Sequence, residues 1–376
     1  MFNGLEEILA RYDDRAPLAE ASTIPGPWYV DPRIAELEAT TVFSNTWQMV
    51  ARIDQVERPG QFVTAKLAGE PIVVVRGNDQ VLRGFYNVCR HHAAAVVTES
   101  CGTASLLHCP YHGWNYGLDG SLKGMPEFEG VRNFERQNNG LVPVKVDTWE
   151  KFVLINLDPQ AVPLTEFLGG LVQRAAPLGL SKLQYFDRKV YDLHCNWKVF
   201  VDNFLDGGYH VPHLHKSLSS VLSYKDYTIE NEDRYCLQSS PMVAGTEDQA
   251  TTTTRTGDRA WYFWQYPNLM INCYAGYMDT NLVIALDVDH CRVIFDFYFA
   301  DISEKSREYN EQSVAVSDKV QSEDLDICEA VQQGLKSRAY GAGRLSVRRE
   351  SGEHLFHRLL AADLKAGIRV PTGTTR

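Results

Sequence analysis

Two short clusters of cysteine and histidine carry the most specific chemistry in this chain of 376 residues. The first is Cys89-Arg90-His91, and the second, seventeen residues on, is Cys109-Pro110-Tyr111-His112-Gly113-Trp114. Two thiolates and two imidazoles on the tips of facing loops suit a [2Fe-2S] cluster, with Cys89 and Cys109 on one iron and His91 and His112 on the other. Neutral imidazoles in place of two thiolates remove negative charge and raise the potential, so such a cluster accepts an electron and passes it on. Structural zinc is the competing reading of a Cys2His2 set. Zinc fingers, however, group like ligands and place their histidines about three to five residues apart, whereas here each cluster mixes one of each. Gly113 lets the backbone approach a metal closely, and Trp114 offers an apolar lid beside it.

The second informative stretch runs from Asn196 to His215. His210, His213 and His215 fall within six residues, beside Asp202 and Asp206, and suggest half of a 2-His-1-carboxylate iron site. Spacing alone leaves the pair open: His210 and His213 share a helical face, while His210 and His215 stand about 140° apart on an ideal helix. Pro212 disfavours helical geometry at Val211, so the predicted helix bends or ends there and His215 can swing round. The carboxylate comes from the predicted last helix, residues 303–335. Val320, Ile327, Val331 and Leu335 form a stripe at helical spacing; Asp324 falls on it, whereas Glu323 and Asp326 do not. A carboxylate on a buried face needs a cation, supplied either by a ferrous ion or by a salt bridge to lysine or arginine.

These residues require a scaffold of two domains, which the length favours. From Trp47 to about residue 157 the chain alternates strand-like runs with Pro-Gly and Gly-Asn-Asp punctuation, predicting an antiparallel β domain. The Asp119-Gly120 pair predicts a hairpin behind the second cysteine loop. Composition changes after Asp158-Pro159, and the expected boundaries are an N-terminal helical segment over residues 1–43, a β domain over 44–160 and a mixed domain over 161–376. In the last, strands are expected at 229–239, 261–266, 269–274, 282–288 and 292–300.

A net charge of −11 argues against nucleic acid as a partner and fits a cationic small molecule or a basic docking protein. Eight cysteines scattered over the chain do not form a disulfide framework, and the six outside the cluster motif read as free thiols of a reducing cytoplasm. The first residues lack the pattern of a signal peptide, and no run approaches the length of a membrane span.

Cys-x-His with Cys-x-x-His, then His210-x4-His215 and a late Asp324, resembles the oxygenase component (α subunit) of the Rieske non-heme iron oxygenases, over nearly the whole chain. Asp202-Asn-Phe-Leu-Asp-Gly-Gly-Tyr-His-Val-Pro, Tyr266-Pro-Asn-Leu-Met-Ile-Asn, Met278-Asp-Thr-Asn-Leu-Val and the 320–335 helix look most like choline monooxygenase and its relatives. The resemblance implies an α+β fold: an all-β Rieske [2Fe-2S] domain joined to a helix-grip-like catalytic domain, with an antiparallel sheet flanked by helices. It selects His210, His215 and Asp324 as ligands of Fe(II), with O2 as co-substrate. Electrons would come from a ferredoxin or flavin reductase, so that NAD(P)H acts only indirectly, and the subunits would form a homotrimer. Two departures stand out. His92-Ala93 occupies the place where the superfamily often has Arg-Gly, and Gly207 stands where many members carry an acid that bridges the metal centres. Asp206 or Asp202 must take that role, Asp206 being the better placed, with Asn203 the third candidate catalytic residue of the segment.

The expected reaction is hydroxylation of a carbon next to a quaternary or methylated nitrogen, in choline or a betaine. Aromatic faces hold such a group, and Trp261, Tyr262, Phe263, Trp264, Tyr266, Tyr274 and Tyr277 supply them. The alternatives are an aromatic-ring-hydroxylating oxygenase and, from another class, a Rieske electron carrier or iron sensor without oxygenase activity.

Overall fold

The computed structural model describes residues 4–243 and 248–369. It divides into two compact units: Ala39–Phe167, and Met1–Glu38 together with Leu168–Arg376. The divisions fall a few residues from those read in the sequence, and the N-terminal segment folds within the larger unit.

The smaller unit is built on a seven-stranded antiparallel sheet in the order Gln48–Arg52, Phe152–Asn156, Pro143–Trp149, Leu82–Tyr86, Glu70–Arg76, Gln61–Leu67 and Cys101–Thr103. Ile72 to Val75 are all buried, as expected of a strand with both faces covered. A separate three-stranded sheet, Leu107–His108, Asn115–Tyr116 and Leu122–Gly124, carries the second cysteine loop between its first two strands. The predicted turn at Asp119-Gly120 is present, with Gly120 at a φ of 80° and its ideal Cβ position 2.4 Å from the Phe85 ring.

The larger unit holds a second seven-stranded antiparallel sheet, in the order Gln184–Leu193, Cys291–Phe299, Tyr277–Ala285, Leu269–Tyr274, Arg259–Gln265, Tyr235–Pro241 and Thr228–Glu232. The single strand expected at 229–239 is instead a hairpin that turns at Asp233, φ 36°. The strand expected at 282–288 begins at Tyr277, because the polar run Asp279-Thr280-Asn281 is buried in the sheet. Gln184–Leu193, rich in charge and only half-buried, was not read as a strand. The Arg307–Leu335 helix is not the last; Ser351–Arg369 follows it, seated by Phe356, Leu360 and Leu364, whose four-residue spacing carried the signal.

The Trp197–Leu205 helix leads into the histidine segment. Asn196 caps it by accepting from the Lys198 backbone N–H at 3.1 Å, while its amide donates to Tyr29 O at 3.0 Å and Val288 O at 2.9 Å. Within its first turn, Lys198 is fully buried and pairs with Glu38 at 2.5 Å, and the indole of Trp197 donates to the other Glu38 oxygen at 2.8 Å. Burial presses the Lys198 pKa down and the Glu38 charge opposes it. Removing one partner leaves an uncompensated buried charge. Glu38→Gln, which keeps an acceptor for Trp197, is therefore expected to cost about 3–5 kcal/mol of unfolding free energy, read from the urea midpoint; an unchanged midpoint would contradict this.

Candidate metal centres and their cavity

In the smaller unit the two cysteine loops share one backbone design. The Cys89 N–H donates to Ala94 O at 2.8 Å and the Cys89 carbonyl accepts from Ala93 N–H at 3.0 Å; Cys109 does the same with Trp114 O at 2.9 Å and Gly113 N–H at 3.1 Å. The residue at the bend is left-handed in both, Ala93 at φ 59° and Gly113 at φ 72°. Glycine reaches that conformation freely, whereas Ala93 carries some strain in it. Each loop thereby presents a buried cysteine. Burial, together with the neighbouring Cys89 thiol, raises the Cys109 pKa, so the Cys109 thiol holds its proton until a metal displaces it.

The histidines complete the set. His91 and His112 lie with ring centroids 4.7 Å apart, and His91 stacks on Trp114 at 4.7 Å with only 6° between the planes. Nδ1 of His91 is buried and finds no protein partner among the described residues, as expected of an atom kept for a metal. His112 is exposed and leaves one edge of the set open to solvent. His92 brings a third imidazole within 4.8 Å of both, also exposed. Sequence reasoning treated Tyr116 only as part of a hairpin. Its hydroxyl accepts from Arg90 N–H at 2.9 Å and so turns its own proton toward Cys89 Sγ at 3.3 Å.

In the larger unit, His210, His215 and Asp324 converge. His215 Nε2 lies 3.0 Å and His210 Nε2 3.9 Å from the same Asp324 oxygen, and the rings stand 4.9 Å apart. The histidines flank a single short helix, Val211–Leu214, while His213 points to solvent. Pro212 does not end a helix, as the sequence suggested; it starts one, in the first turn where its missing N–H costs nothing. The break comes earlier, at Gly207 and Gly208, both at φ 68°. An ideal Cβ at Gly207 would lie 2.1 Å from Arg349 O, so no acid fits there.

Each imidazole is turned by a carboxylate behind it. Asp206 accepts from the His210 backbone N–H at 2.9 Å and meets its Nδ1 at 2.6 Å; Glu323 meets His215 Nδ1 at 2.6 Å. Both Nε2 atoms are thereby left facing Asp324, the usual arrangement behind metal-bound histidines. Asn203 donates to Asp324 at 2.8 Å. Asp202 faces elsewhere, taking hydrogen bonds from Tyr29 OH at 2.5 Å and His357 Nε2 at 3.0 Å. Burial lowers the His215 pKa, but the Asp324 and Glu323 carboxylates outweigh it and raise it on balance. A divalent cation satisfies the same two charges in place of that proton, so the donor set fits ferrous iron.

A cavity opens on this triad, lined by Phe204, Tyr227, Tyr262, Tyr274 and Phe295 among others. Of the aromatics singled out in the sequence, Tyr262 and Tyr274 face it, their hydroxyls 2.8 Å apart. Trp264 and Tyr266 are fully buried elsewhere, with Trp264 donating to Pro267 O and Tyr266 to Asp363.

Comparison with known proteins gives the family. The model of the Rieske [2Fe-2S] domain matches residues 46–135, and that of the ring hydroxylating alpha subunit (catalytic domain) matches residues 180–366. Choline monooxygenase, chloroplastic, of Arabidopsis thaliana is 39% identical over 96% of this chain and 87% of that protein. The chain belongs to the Rieske oxygenases. The carnitine monooxygenase oxygenase subunit of Escherichia coli strain K12 is 34% identical over 92% of this chain and 95% of that one. A solved quaternary ammonium Rieske monooxygenase in complex with L-carnitine superposes with a TM-score of 0.80 at 30% identity, over 91% and 96% of the two chains. Naphthalene 1,2-dioxygenase shares the fold, at a TM-score of 0.77 and 19% identity over 94% of this chain and 95% of that one. As a Rieske oxygenase the protein is an oxidoreductase that uses a [2Fe-2S] cluster, a mononuclear iron and O2, and draws electrons from a reductase or ferredoxin to oxidise a small molecule.

Hydrogen bonds to cluster sulfurs raise the potential. Tyr116→Phe is expected to lower the midpoint of the cluster by tens of millivolts in a spectroscopic redox titration, with the visible spectrum retained. A midpoint equal to wild type would remove Tyr116 from the cluster's surroundings.

Proposed function

We propose that the protein is the oxygenase component of a system that oxidises a quaternary or methylated ammonium compound, such as choline or a betaine. The observation that carries the reading is the cavity at the triad, whose wall is aromatic and tyrosine-rich where a cation must sit. Relatives named for choline and carnitine, and a solved relative holding L-carnitine, support it. In this reading Cys89, Cys109, His91 and His112 hold the cluster, and His210, His215 and Asp324 the mononuclear iron. Bound there, the two groups supply electrons and activate O2.

The chain's own residues do the placing. Asp206 and Glu323 fix the imidazole rings, Asn203 steadies Asp324, and Phe204, Tyr227, Tyr262 and Tyr274 shield the substrate from water. Asp206, hydrogen-bonded to His210, is the residue we assign to the electron path between centres; Asp202, turned onto Tyr29 and His357, takes no part in it. The exposed edge of His112 suits transfer across a subunit boundary within a homotrimer, as does a solved relative for which inter-subunit electron transfer is described. A ferredoxin or flavin reductase would serve as donor, spending NAD(P)H. The eight cysteines are free, consistent with a reducing compartment such as the cytoplasm, and no helix among the described residues is long and apolar enough to cross a membrane.

The test is a panel of choline, glycine betaine, L-carnitine and naphthalene, turned over by the reconstituted enzyme under labelled O2 and scored by product mass. The expected result is an ammonium substrate converted to an aldehyde or to a demethylated amine plus a released aldehyde, one atom of O2 entering the oxidised carbon and the other leaving as water, and no product from naphthalene. Asp324→Ala is expected to keep the cluster colour and lose substrate-dependent O2 uptake. A naphthalene diol would point to ring hydroxylation, and unaffected O2 uptake in the variant would overturn the assignment of the triad.

A further inference from the structure

The Met278-Asp-Thr-Asn-Leu-Val run contains a buried acid that the chemistry above does not use. Asp279 lies on the Tyr277–Ala285 strand in the wall of the same cavity as His210, His215 and Asp324, and is 3% exposed. One of its oxygens accepts from Tyr277 OH at 2.6 Å, with Ser317 Oγ at 3.5 Å; the other accepts from Asn272 Nδ2 at 2.7 Å and Asn281 Nδ2 at 3.1 Å. Every one of these donors is neutral, and Asp279 makes no ion pair among the described residues. Arg255 is near but engaged: its guanidinium donates to Ser313 Oγ, Ser313 O and Ser317 Oγ on the Arg307–Leu335 helix, beneath the rings of Tyr274 and Tyr277.

Neutral donors hold a carboxylate in place without cancelling its charge, and Arg255 reaches Asp279 only through Ser317, so the anion has no cation in direct contact. The cavity is the space in which that cation can sit. A second atom points the same way: Asn272 Oδ1, in the same wall, is buried and has no hydrogen-bond partner, so this side of the cavity offers acceptors and no spare donor from Asn272. Tyr227, Tyr262 and Tyr274 add ring faces to it, which attract a cation but also welcome a neutral group of equal size.

Resting on the reading of the site as a quaternary-ammonium oxygenase, we infer that Asp279 is the counter-anion of the substrate's ammonium group and sets the preference for a cation over a neutral molecule of the same shape. The surroundings agree. Burial pushes the Asp279 carboxyl above the usual carboxylate range, against Tyr277, Arg255 and the two asparagines, and a permanent positive charge beside it draws it back down. The titratable groups that face it are Tyr277 on its own strand, Cys273 and Tyr274 on the next, Tyr191 on Gln184–Leu193, and Arg255. All of these have raised pKa values, so Asp279 is the group among them that loses its charge as the pH falls.

The test measures binding to the anaerobic holoenzyme by calorimetry, using two pairs that differ only by carbon for nitrogen: choline against 3,3-dimethylbutan-1-ol, and glycine betaine against 3,3-dimethylbutanoate. Wild type is expected to favour the cation of at least one pair by about 10-fold or more, as close buried charge pairs do. Asp279→Asn is expected to bring that ratio near one, by losing affinity for the cation and not for the isostere, with cluster absorbance as the check on folding. Tyr277→Phe keeps the charge but removes its closest donor; the preference should survive, and the pH below which it fades should move up. A preference retained in Asp279→Asn, or a pH dependence unmoved in Tyr277→Phe, would overturn the inference while leaving the oxygenase reading intact. Wild type that prefers neither cation and oxidises no ammonium compound in the substrate panel would overturn both.

Discussion

One buried carboxylate oxygen governs the larger unit. The Asp324 side chain is largely enclosed, faces two imidazoles and has no lysine or arginine within ion-pair distance among the described residues. A carboxylate in that position is costly unless a cation joins it, and the two histidine nitrogens that point at the same atom supply the rest of a coordination set. The neighbouring features serve this convergence. Gly207 and Gly208 break the chain so that His210 and His215 can flank one short helix, Asp206 and Glu323 turn the rings, and Asn203 holds the carboxylate.

The smaller unit solves a related problem differently. Instead of a helix break it repeats one loop, each with a cysteine bonded to the backbone four and five residues on. The loops bring thiols and imidazoles together, Trp114 covers one ring, and Tyr116 donates to a sulfur. The larger unit adds a cavity with aromatic faces and a buried acid, Asp279, in its wall. The two candidate centres thus lie in separate units, each surrounded by a few buried polar contacts.

The two cysteine loops were legible because their ligands are local in sequence, and a few residues of spacing define the chemistry. The histidine pair was only half legible. Spacing left His213 open and the resemblance selected His210 and His215; what brings those two together is the backbone break at Gly207 and Gly208, which no periodicity reveals. Asp324 was found on a stripe of which half holds: Leu335 is buried and Val320 lines the cavity, but Ile327 and Val331 are 40% and 43% exposed, and the buried face runs through Ser317, Gln321, Cys328 and Gln332. A helix that lines a polar cavity inverts the hydrophobic pattern on which such a reading depends. Glu323 was set aside for lying off that stripe, although a residue beside a ligand is well placed to reach the imidazole's far nitrogen. Tyr116 meets Cys89 from 27 residues away, a separation for which the chain carries no local mark, and Asp279 meets Asn272 only through strand pairing.

The most direct test of the convergence at Asp324 is EPR of the reduced protein titrated with nitric oxide, which reports ferrous iron with open positions. His213→Ala is expected to keep the high-spin iron–nitrosyl signal of wild type, and His215→Ala to lose it while the cluster signal persists in both. A full nitrosyl signal in His215→Ala, or its loss in His213→Ala, would contradict the account.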